Sequence, residues 1–392
     1  MLDVDQGIFH DGHRFDAQSL NLSAGNSDWG LDCYRLRGGL SDGVDVLRLD
    51  NGRLQLEILP TRGMGIWRGR LCDLELKWDS PVRRPVHPSW VDEMRRGGIG
   101  WLDAFNELIC RCGLGWHGAP GNDVQTDDDG NVLSDQFLPL HGRIANLAAH
   151  HVRIDVAADG AISLTGVVDE VSVFGGRLQL SSTLTTYPGS SEFEIHDTVT
   201  NLGSAPAETE MLYHCNFGRP LLESGATLHT ACTQLAPRDL RAAEDVDQWS
   251  NYRDAETGYA EQVYFMEPIP DDDGCSQVVL SNASQSAAVS LKFHTSTLPW
   301  FVQWKNTQAD ADGYCTGLEP CSSFPNPRMF ERSRQRVRLL QPEESVTYQL
   351  QFTIAIEPGD VKRMVEQVDQ LQARSARNIA AQPLDAWSPP AD

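Results

Sequence analysis

The sequence predicts an all-β protein, a large antiparallel β-sandwich with a few short helices. Three observations support this prediction. Short segments alternate apolar and polar residues with period two, turn sequences join neighbouring segments, and long helices do not alternate with the strands. The sequence also has no Gly-rich phosphate loop, so a parallel α/β sheet fits the pattern poorly.

The predicted strands can be followed along the chain. The segment GRLQLEILP at 52–60 alternates with period two, and 150–168 and 176–201 each read as an antiparallel hairpin split by ADG or PGSS. Further strands are predicted near 208–217, 226–234, 262–268, 276–281, 286–294, 299–305, 314–319, 334–340 and 345–356.

Two segments show a helical pattern. WLDAFNELICRC at 101–112 spaces apolar residues three to four apart, and the segment at 358–377 starts with proline and repeats apolar residues at helical spacing. No shift in composition marks a domain boundary, so residues 1–375 are expected to form a single domain. The Pro-rich residues 376–392 are expected to form a loose tail.

The composition limits the classes of partner and the location. Of 392 residues, 32 are Lys or Arg and 55 are Asp or Glu, a formal net charge of −23 that repels nucleic acid and anionic membrane surfaces. A small neutral ligand fits better. The N-terminus lacks the pattern of a secretory signal, and no run of about 18 apolar residues predicts a membrane span. Nine scattered cysteines are typical of reduced thiols in a cytoplasmic protein.

Several spots combine reactive side chains with Gly, Pro or aromatic neighbours. In LPTRGMGIW (59–67), Arg62 either points to solvent from a bulge or offers a guanidinium fork to a ligand oxygen. In LPLHGRIAN (138–146), His141 and Arg143 are two residues apart and would share one face of an extended chain. Either side chain alone would most often be a surface residue, but the pair on one face beside a glycine favours a site.

The Gly-rich segment CRCGLGWHGAPG (110–121) carries His117 and is typical of a loop that lines a site. Its two cysteines and histidine lack a second cluster at metal-ligand spacing, so no metal site is predicted. In YCTGLEPCSSFPN (314–326), Glu319 is either an exposed carboxylate at a strand end or a general base. Trp304 could stack on a sugar ring or belong to the core.

LYHCNFGRP (212–220) places His214 among β-forming residues, where a histidine can be a core side chain or a proton carrier. These spots, in this order, resemble the galactose mutarotase (aldose 1-epimerase) superfamily. The resemblance is closest to an aldose 1-epimerase-like branch usually left as a domain of unknown function. The matching pieces, spread over about residues 50 to 356, are ILPTRGMGIWRGR, CGLGWHGAPG, LHGR, EIHDTVTNLG, LYHCNFGRPLL and GLEP.

The resemblance implies a galactose mutarotase-like supersandwich with an open cleft that binds a free sugar. His214 matches the histidine that protonates the ring oxygen, and Glu319 matches the glutamate that takes the proton of the anomeric hydroxyl. His141 resembles the second, sugar-binding histidine, and Arg143 resembles a binding arginine beside it. The family's binding aspartate has no clear match in this sequence. Ring opening by such a pair needs no metal or organic cofactor.

Three functions remain open from the sequence. The first is a mutarotase, an isomerase that interconverts the anomers of an aldose with His214 and Glu319 facing each other across the cleft. The second is a non-catalytic carbohydrate-binding protein, which would not need a paired acid and base. The third is an epimerase or lyase acting on an oxidised sugar with the same pair. The sequence does not identify the sugar, and edge strands in a large sandwich are compatible with a homodimer.

Overall fold

The computed structural model describes residues 2–20, 29–127 and 129–390. Strands take up 43% and helical segments 13%, which confirms the predicted all-β class. In chain order the strands are β1 (Leu2–Asp3), β2 (Ile8–Phe9), β3 (His13–Asp16), β4 (Gly30–Arg35), β5 (Asp45–Asp50), β6 (Leu54–Leu59), β7 (Gly65–Leu71), β8 (Leu74–Leu76), β9 (Ile109–Cys112), β10 (Gly121–Thr126), β11 (Val132–Leu138), β12 (His151–Val156), β13 (Ile162–Val171), β14 (Arg177–Thr186), β15 (Glu192–Asn201), β16 (Ala207–Thr209), β17 (Leu212–Phe217), β18 (Thr227–Thr230), β19 (Cys232–Pro237), β20 (Gln262–Pro268), β21 (Cys275–Ser281), β22 (Ala288–His294), β23 (Trp300–Asn306), β24 (Cys315–Cys321), β25 (Arg338–Leu340), β26 (Ser345–Ala355) and β27 (Asn378–Ile379).

The helical segments are short apart from the last α-helix. The α-helices are α1 (Arg95–Gly98), α2 (Leu240–Ala243), α3 (Arg328–Ser333) and α4 (Pro358–Gln372). The 3-10 segments are Gly39–Ser41, Pro88–Trp90, Gly100–Ala104, Ile144–Asn146, Val246–Gln248 and Asp310–Asp312. Within the described ranges, no helix is long and apolar enough to cross a membrane.

Two large sheets form a sandwich. One has ten strands in the order β18-β21-β22-β26-β15-β14-β13-β12-β1-β2. The other has thirteen, in the order β27-β19-β20-β23-β24-β17-β9-β7-β6-β5-β4-β3 with β8 paired to β7. The pairings are antiparallel except for that of β19 with β27. Because the largest apolar cluster draws side chains from both sheets, it lies between them, as the sandwich prediction requires.

Burial explains why some strands alternate in sequence and others do not. In β14 and β15 every second residue is buried, so one face packs on the core and the other is more open. In β17 and β24 every residue is buried. Their inner face meets the core between the sheets, and their outer face is covered by a second apolar cluster that includes Trp101, Phe105 and Trp387.

A buried ion pair ties the two sheets together. Arg111 on β9 donates to both carboxylate oxygens of Asp197 on β15 and to the hydroxyl of Ser182 on β14. The hydroxyl of Tyr213 also donates to Asp197, over 2.8 Å. Breaking such a pair by removing one partner is costly, because the other charge stays buried. Arg111 therefore fixes the inward face of β9, which leaves Cys110 and Cys112 on the outward face.

The helix predicted for 101–112 is wrong. Gly100–Ala104 forms a 3-10 turn and Ile109–Cys112 forms β9. The apolar spacing in this segment comes from Trp101 and Phe105 packing on the outer face of the sheet, while Leu102 is exposed. Pairing of β9 with β17 and the buried Arg111 pair outweigh the local helical pattern.

The helix predicted near the C-terminus is confirmed, since α4 covers Pro358–Gln372 and buries one apolar face. The sequence predicts a loose tail from residue 376, but β27 pairs with β19 and Trp387 is buried against Phe324 and Trp300. The aromatic side chain of Trp387, not the Pro-rich composition, decides the position of this segment. The single-domain boundary at 375 stays a prediction.

Candidate active site

Strand register brings His214 and Glu319 together. Cys215 pairs with Leu318 in neighbouring antiparallel strands, so His214 on β17 lies beside Glu319 on β24. The Nε2 atom of His214 is 3.2 Å from Oε1 of Glu319, and both side chains are almost fully buried. The geometry lacks the alignment of a hydrogen bond, and Oε1 accepts none from the described residues. The two groups are in direct contact, whereas the sequence predicts them on opposite sides of a cleft.

Gly317 leaves room for this contact. It lies two residues before Glu319 on the same face of β24. A Cβ atom at this position would be 2.3 Å from Oε1 of Glu319 and 2.9 Å from Cε1 of His214. Any side chain at 317 would therefore push the carboxyl or the ring away.

Asn216 fixes the tautomer of His214. The Oδ1 atom of Asn216 is 2.6 Å from Nδ1 of His214. The Nδ2 atom of Asn216 donates to the carbonyl oxygens of Glu107 and His214, which sets the orientation of the amide. Nδ1 must therefore carry a proton and donate it, so Nε2 of the neutral ring presents its lone pair to Glu319.

The surroundings shift the two pKa values in opposite directions. Burial, and secondarily the nearby His141, lowers the pKa of His214 to about 3. Burial, together with the charge of Glu261, raises the pKa of Glu319 well above its ordinary value, and Arg238 opposes this only in part. Both effects favour a neutral ring beside a protonated carboxyl. We call these two groups the His214/Glu319 pair.

Aromatic rings surround the pair. The ring of Phe105 lies 4.8 Å from that of His214, and the ring of Trp304 lies 5.3 Å from it, measured between centroids. The indole of Trp101 lies 6.3 Å away. The Nε1 atom of Trp304 donates over 2.6 Å to Oε2 of Glu261, which holds the indole in place. The site is thus apolar and aromatic, with a carboxylate at its rim.

His141 also faces the pair. Its Nδ1 atom is 2.8 Å from the carbonyl oxygen of His117, so that nitrogen donates and Nε2 is left as an acceptor. The ring centroid is 5.7 Å from that of His214. Burial lowers the pKa of His141 to about 4, which keeps the ring neutral near pH 7.

Arg143 does not share a face with His141, and the prediction of a common face is wrong. His141 and Gly142 have φ angles of 62° and 69°, so the chain turns where an extended strand was expected. His141 faces the pair, while Arg143 lines a separate pocket with Glu170. The spacing of two residues implies a shared face only in an extended strand.

Two other predicted ligand contacts are buried elsewhere. The guanidinium of Arg62 binds Glu107 over 2.5 Å and donates to Asn146 and two carbonyl oxygens, so the prediction of a fork offered to a ligand is wrong. The ring of His117 is fully buried with Nε2 at 2.9 Å from the hydroxyl of Ser323. Its backbone carbonyl, not its ring, connects it to the site through His141.

Sequence reasoning did not identify Asn216, Glu261, Arg238, Trp101 or Phe105. The Asn two residues after His214 is a usable signal, because such spacing in a strand puts both side chains on one face. Glu261 and Arg238 come from distant segments that meet in an ion pair of 3.0 Å at the rim. Nothing in their local sequence marks them. In the described part of the chain, no group of three or more His, Cys, Asp or Glu side chains could hold a metal ion.

Comparisons with known proteins agree with this architecture. A family model described as a domain of unknown function, DUF4432, matches residues 41–354. A candidate aldose 1-epimerase from Klebsiella pneumoniae is 29% identical, with a TM-score of 0.90 over 98% of this chain and 97% of that one. No curated protein sequence matches this chain.

More distant solved structures show the same fold. A galactose mutarotase-like protein from Clostridium acetobutylicum is 15% identical, with a TM-score of 0.56 over 83% of this chain and 98% of that one. A candidate aldose 1-epimerase from Escherichia coli K12 is 14% identical, with a TM-score of 0.54 over 80% of this chain and 100% of that one. At these identities the likeness establishes the galactose mutarotase-like sandwich and nothing finer.

Proposed function

Because the chain belongs to the DUF4432 family and has a galactose mutarotase-like fold, we propose that it is an isomerase that interconverts the anomers of a free sugar. The observation that carries this proposal is the 3.2 Å contact between His214 and Glu319 in an aromatic, almost fully buried site. A protein that only bound sugar would not need a buried acid and base in direct contact.

In the proposed mechanism, the sugar hemiacetal takes the position between the two groups. The Nε2–H of protonated His214 donates to the ring oxygen while the carboxylate of Glu319 accepts the proton of the anomeric hydroxyl. The bond between the anomeric carbon and the ring oxygen breaks, and a carbonyl forms. After rotation of the anomeric carbon, the reverse transfers close the ring on the other face.

The pKa shifts indicate what binding of a sugar would have to change. Burial favours the neutral pair, in which the carboxyl holds the proton, over the ion pair that the reaction uses. Hydroxyl groups of the sugar would bond the carboxylate oxygen that lacks a partner and so stabilise the charged form. Opening the ring returns the proton to Glu319 and leaves His214 neutral. The pair therefore ends this step in its resting form.

His141 and Trp304 complete the proposed sugar site. The free Nε2 of His141 can accept a hydrogen bond from a hydroxyl, and the Trp304 face can stack on the apolar face of a sugar ring. Because the pair is nearly buried, part of the aromatic wall must move when a sugar enters.

The charges at the rim favour a neutral sugar. Arg238 lies within 3.0 Å of both Asp239 and Glu261, so its positive charge is already matched by two carboxylates. Arg62 forms a buried ion pair with Glu107, and Arg143 faces another pocket. A phosphate or carboxylate on the sugar would therefore meet negative charge here without a free cation to balance it.

Polarimetry with freshly dissolved α-D-glucose and α-D-galactose tests the proposal. The protein should speed the approach to anomeric equilibrium of at least one such neutral aldose beyond the spontaneous rate. The variant Glu319→Gln serves as the matched control, since it keeps the size of the side chain. Tight binding of an aldose without any faster equilibration would favour the non-catalytic sugar-binding alternative.

A further inference from the structure

A pocket away from the proposed sugar site is bordered by the Gly-rich loop that carries His117. Its volume is about 560 Å³, enough for a sugar-sized molecule. Gly115 and Trp116 form one wall, and the tip of the hairpin between β13 and β14 forms another. Neither His214 nor Glu319 lines this pocket, so it is separate from the proposed sugar site.

Two arginines in this pocket have unused hydrogen-bond donors. Arg143 is partly buried and Arg177 is exposed. Both line the pocket, and within the described residues neither guanidinium forms a hydrogen bond or an ion pair. The protein has a net charge of −23, and most of its arginines pair with carboxylates. Two guanidinium groups without such a partner in one cavity could therefore bind the acceptor oxygens of a ligand.

The carboxylates of the same pocket are already occupied. Glu170 accepts the backbone N–H groups of Leu114 and Gly115 with its two oxygens. Glu208 is held by Arg328 and Arg332, and Asp123 binds Arg332 as well. Glu170 is close enough to Arg143 for their charges to interact, but within the described residues no carboxylate of the pocket forms a hydrogen bond or an ion pair with Arg143 or Arg177. The three carboxylates and three arginines that line the pocket balance in formal charge, but the groups without a hydrogen-bond partner are the N–H donors of the arginines.

Arg328 also lines the pocket, but most of its donors are already used. Its side chain is 5% exposed, and its Nε atom has no hydrogen-bond partner among the described residues. Its other nitrogens are fixed by Glu208, Glu210 and the carbonyl oxygen of Gly115. A buried N–H group without a partner costs free energy unless a ligand or water accepts its hydrogen bond.

We propose that this pocket binds a small molecule through a carboxylate or phosphate group held by Arg143 and Arg177. Guanidinium groups bind both oxyanions through paired N–H···O bonds. Trp116 supplies an aromatic surface beside the anion, and Phe174 stands fully exposed at the pocket edge.

Isothermal titration calorimetry at low salt tests this proposal with inorganic phosphate, D-glucuronate and D-glucose. Phosphate and glucuronate separate the two sources of the oxyanion, and glucose reports on uncharged sugar. At least one anion should bind saturably and more weakly as salt is raised. Arg177→Gln and Arg143→Gln should each weaken that binding by at least about tenfold.

Arg70→Gln is the matched control, since Arg70 is exposed on β7, outside the pocket, and has no hydrogen-bond or ion-pair partner within the described ranges. It should leave anion binding unchanged. Glu319→Gln should also leave it unchanged, which separates this pocket from the proposed sugar site. The proposal is overturned if neither anion binds, or if binding survives both Arg143→Gln and Arg177→Gln. Because Arg177 is exposed, its variant is expected to fold even if the Arg143 variant does not.

Discussion

Replacing Gly317 by alanine should separate His214 from Glu319 without removing either group. The added Cβ would lie 2.3 Å from Oε1 of Glu319, whereas ordinary contacts begin at 3.4 Å. The carboxyl must therefore move by about 1 Å. Displacements of this size between reacting groups cost about a hundredfold in rate.

The same substitution should cost little stability. Overpacking a core costs about 1–3 kcal/mol, and the lower end applies here because the nearest atom is the end of a side chain that can rotate. We therefore expect kcat for anomer interconversion to fall about a hundredfold while Tm falls by only a few degrees. Polarimetry and thermal unfolding of the same preparation measure both quantities.

Gly121→Ala is the matched control for Gly317→Ala. Gly121 also lies in a strand, but a Cβ there would meet its nearest atom, in Pro327, at an ordinary 3.5 Å. Its kcat and Tm should stay close to those of the unmodified protein. A Gly317→Ala variant that is correctly folded and keeps kcat within twofold would refute the claim that the rate depends on the positions of these two groups.

Three further predictions follow from the site. Asn216→Leu removes the acceptor at Nδ1 of His214 and should lower kcat about tenfold with KM little changed, whereas Asn216→Asp keeps an acceptor and should retain more of kcat; steady-state kinetics compares them. Burial lowers the pKa of His117 to about 4. Between about pH 6.5 and pH 4 the unfolded chain therefore binds a proton at this histidine and the folded chain does not, so the free energy of unfolding falls as the pH is lowered. Urea unfolding at several pH values should show that His117→Gln weakens this loss by about 1 kcal/mol per pH unit between about pH 6 and pH 4. In calorimetry with a Glu319→Gln/Arg143→Gln protein, which lacks the second anion site, a hexose 6-phosphate should bind more weakly than its parent hexose; the reverse order would contradict the charge argument at the rim.

The sequence predicts the sandwich because strands with one open face alternate visibly, as in 176–201. The strands of the site are predicted as well, near 208–217 and 314–319, although β17 and β24 are buried on both faces and lose the alternation. The error at 101–112 arises because the outer face of the sheet is also covered by apolar residues. Trp101 and Phe105 are apolar because they cover the outer face of the sheet, not because they form one side of a helix.

The candidate site is predicted where motif and strand register coincide. His214, Glu319, His141 and Trp304 meet in space as their motifs suggest. Arg143 lies outside the site because the chain turns at His141 and Gly142, which both have left-handed φ angles. The local sequence does not distinguish this turn from an extended strand that contains a glycine. Arg62 pairs with Glu107, which is 45 residues away in the chain, so the local sequence does not identify it as the partner.

The anomer interconversion rate of Glu319→Gln tests the central claim most directly. Burial raises the pKa of the Glu319 carboxyl, which favours its neutral form, so a neutral glutamine of the same size should leave stability nearly unchanged. We expect kcat to fall at least about a hundredfold on the aldose that binds best, with its Kd within a few-fold. His214→Asn should behave alike, and the double variant should cost little more than the worse single one. Near-normal turnover by a folded Glu319→Gln protein would contradict the account and return His214 to the role of a core histidine.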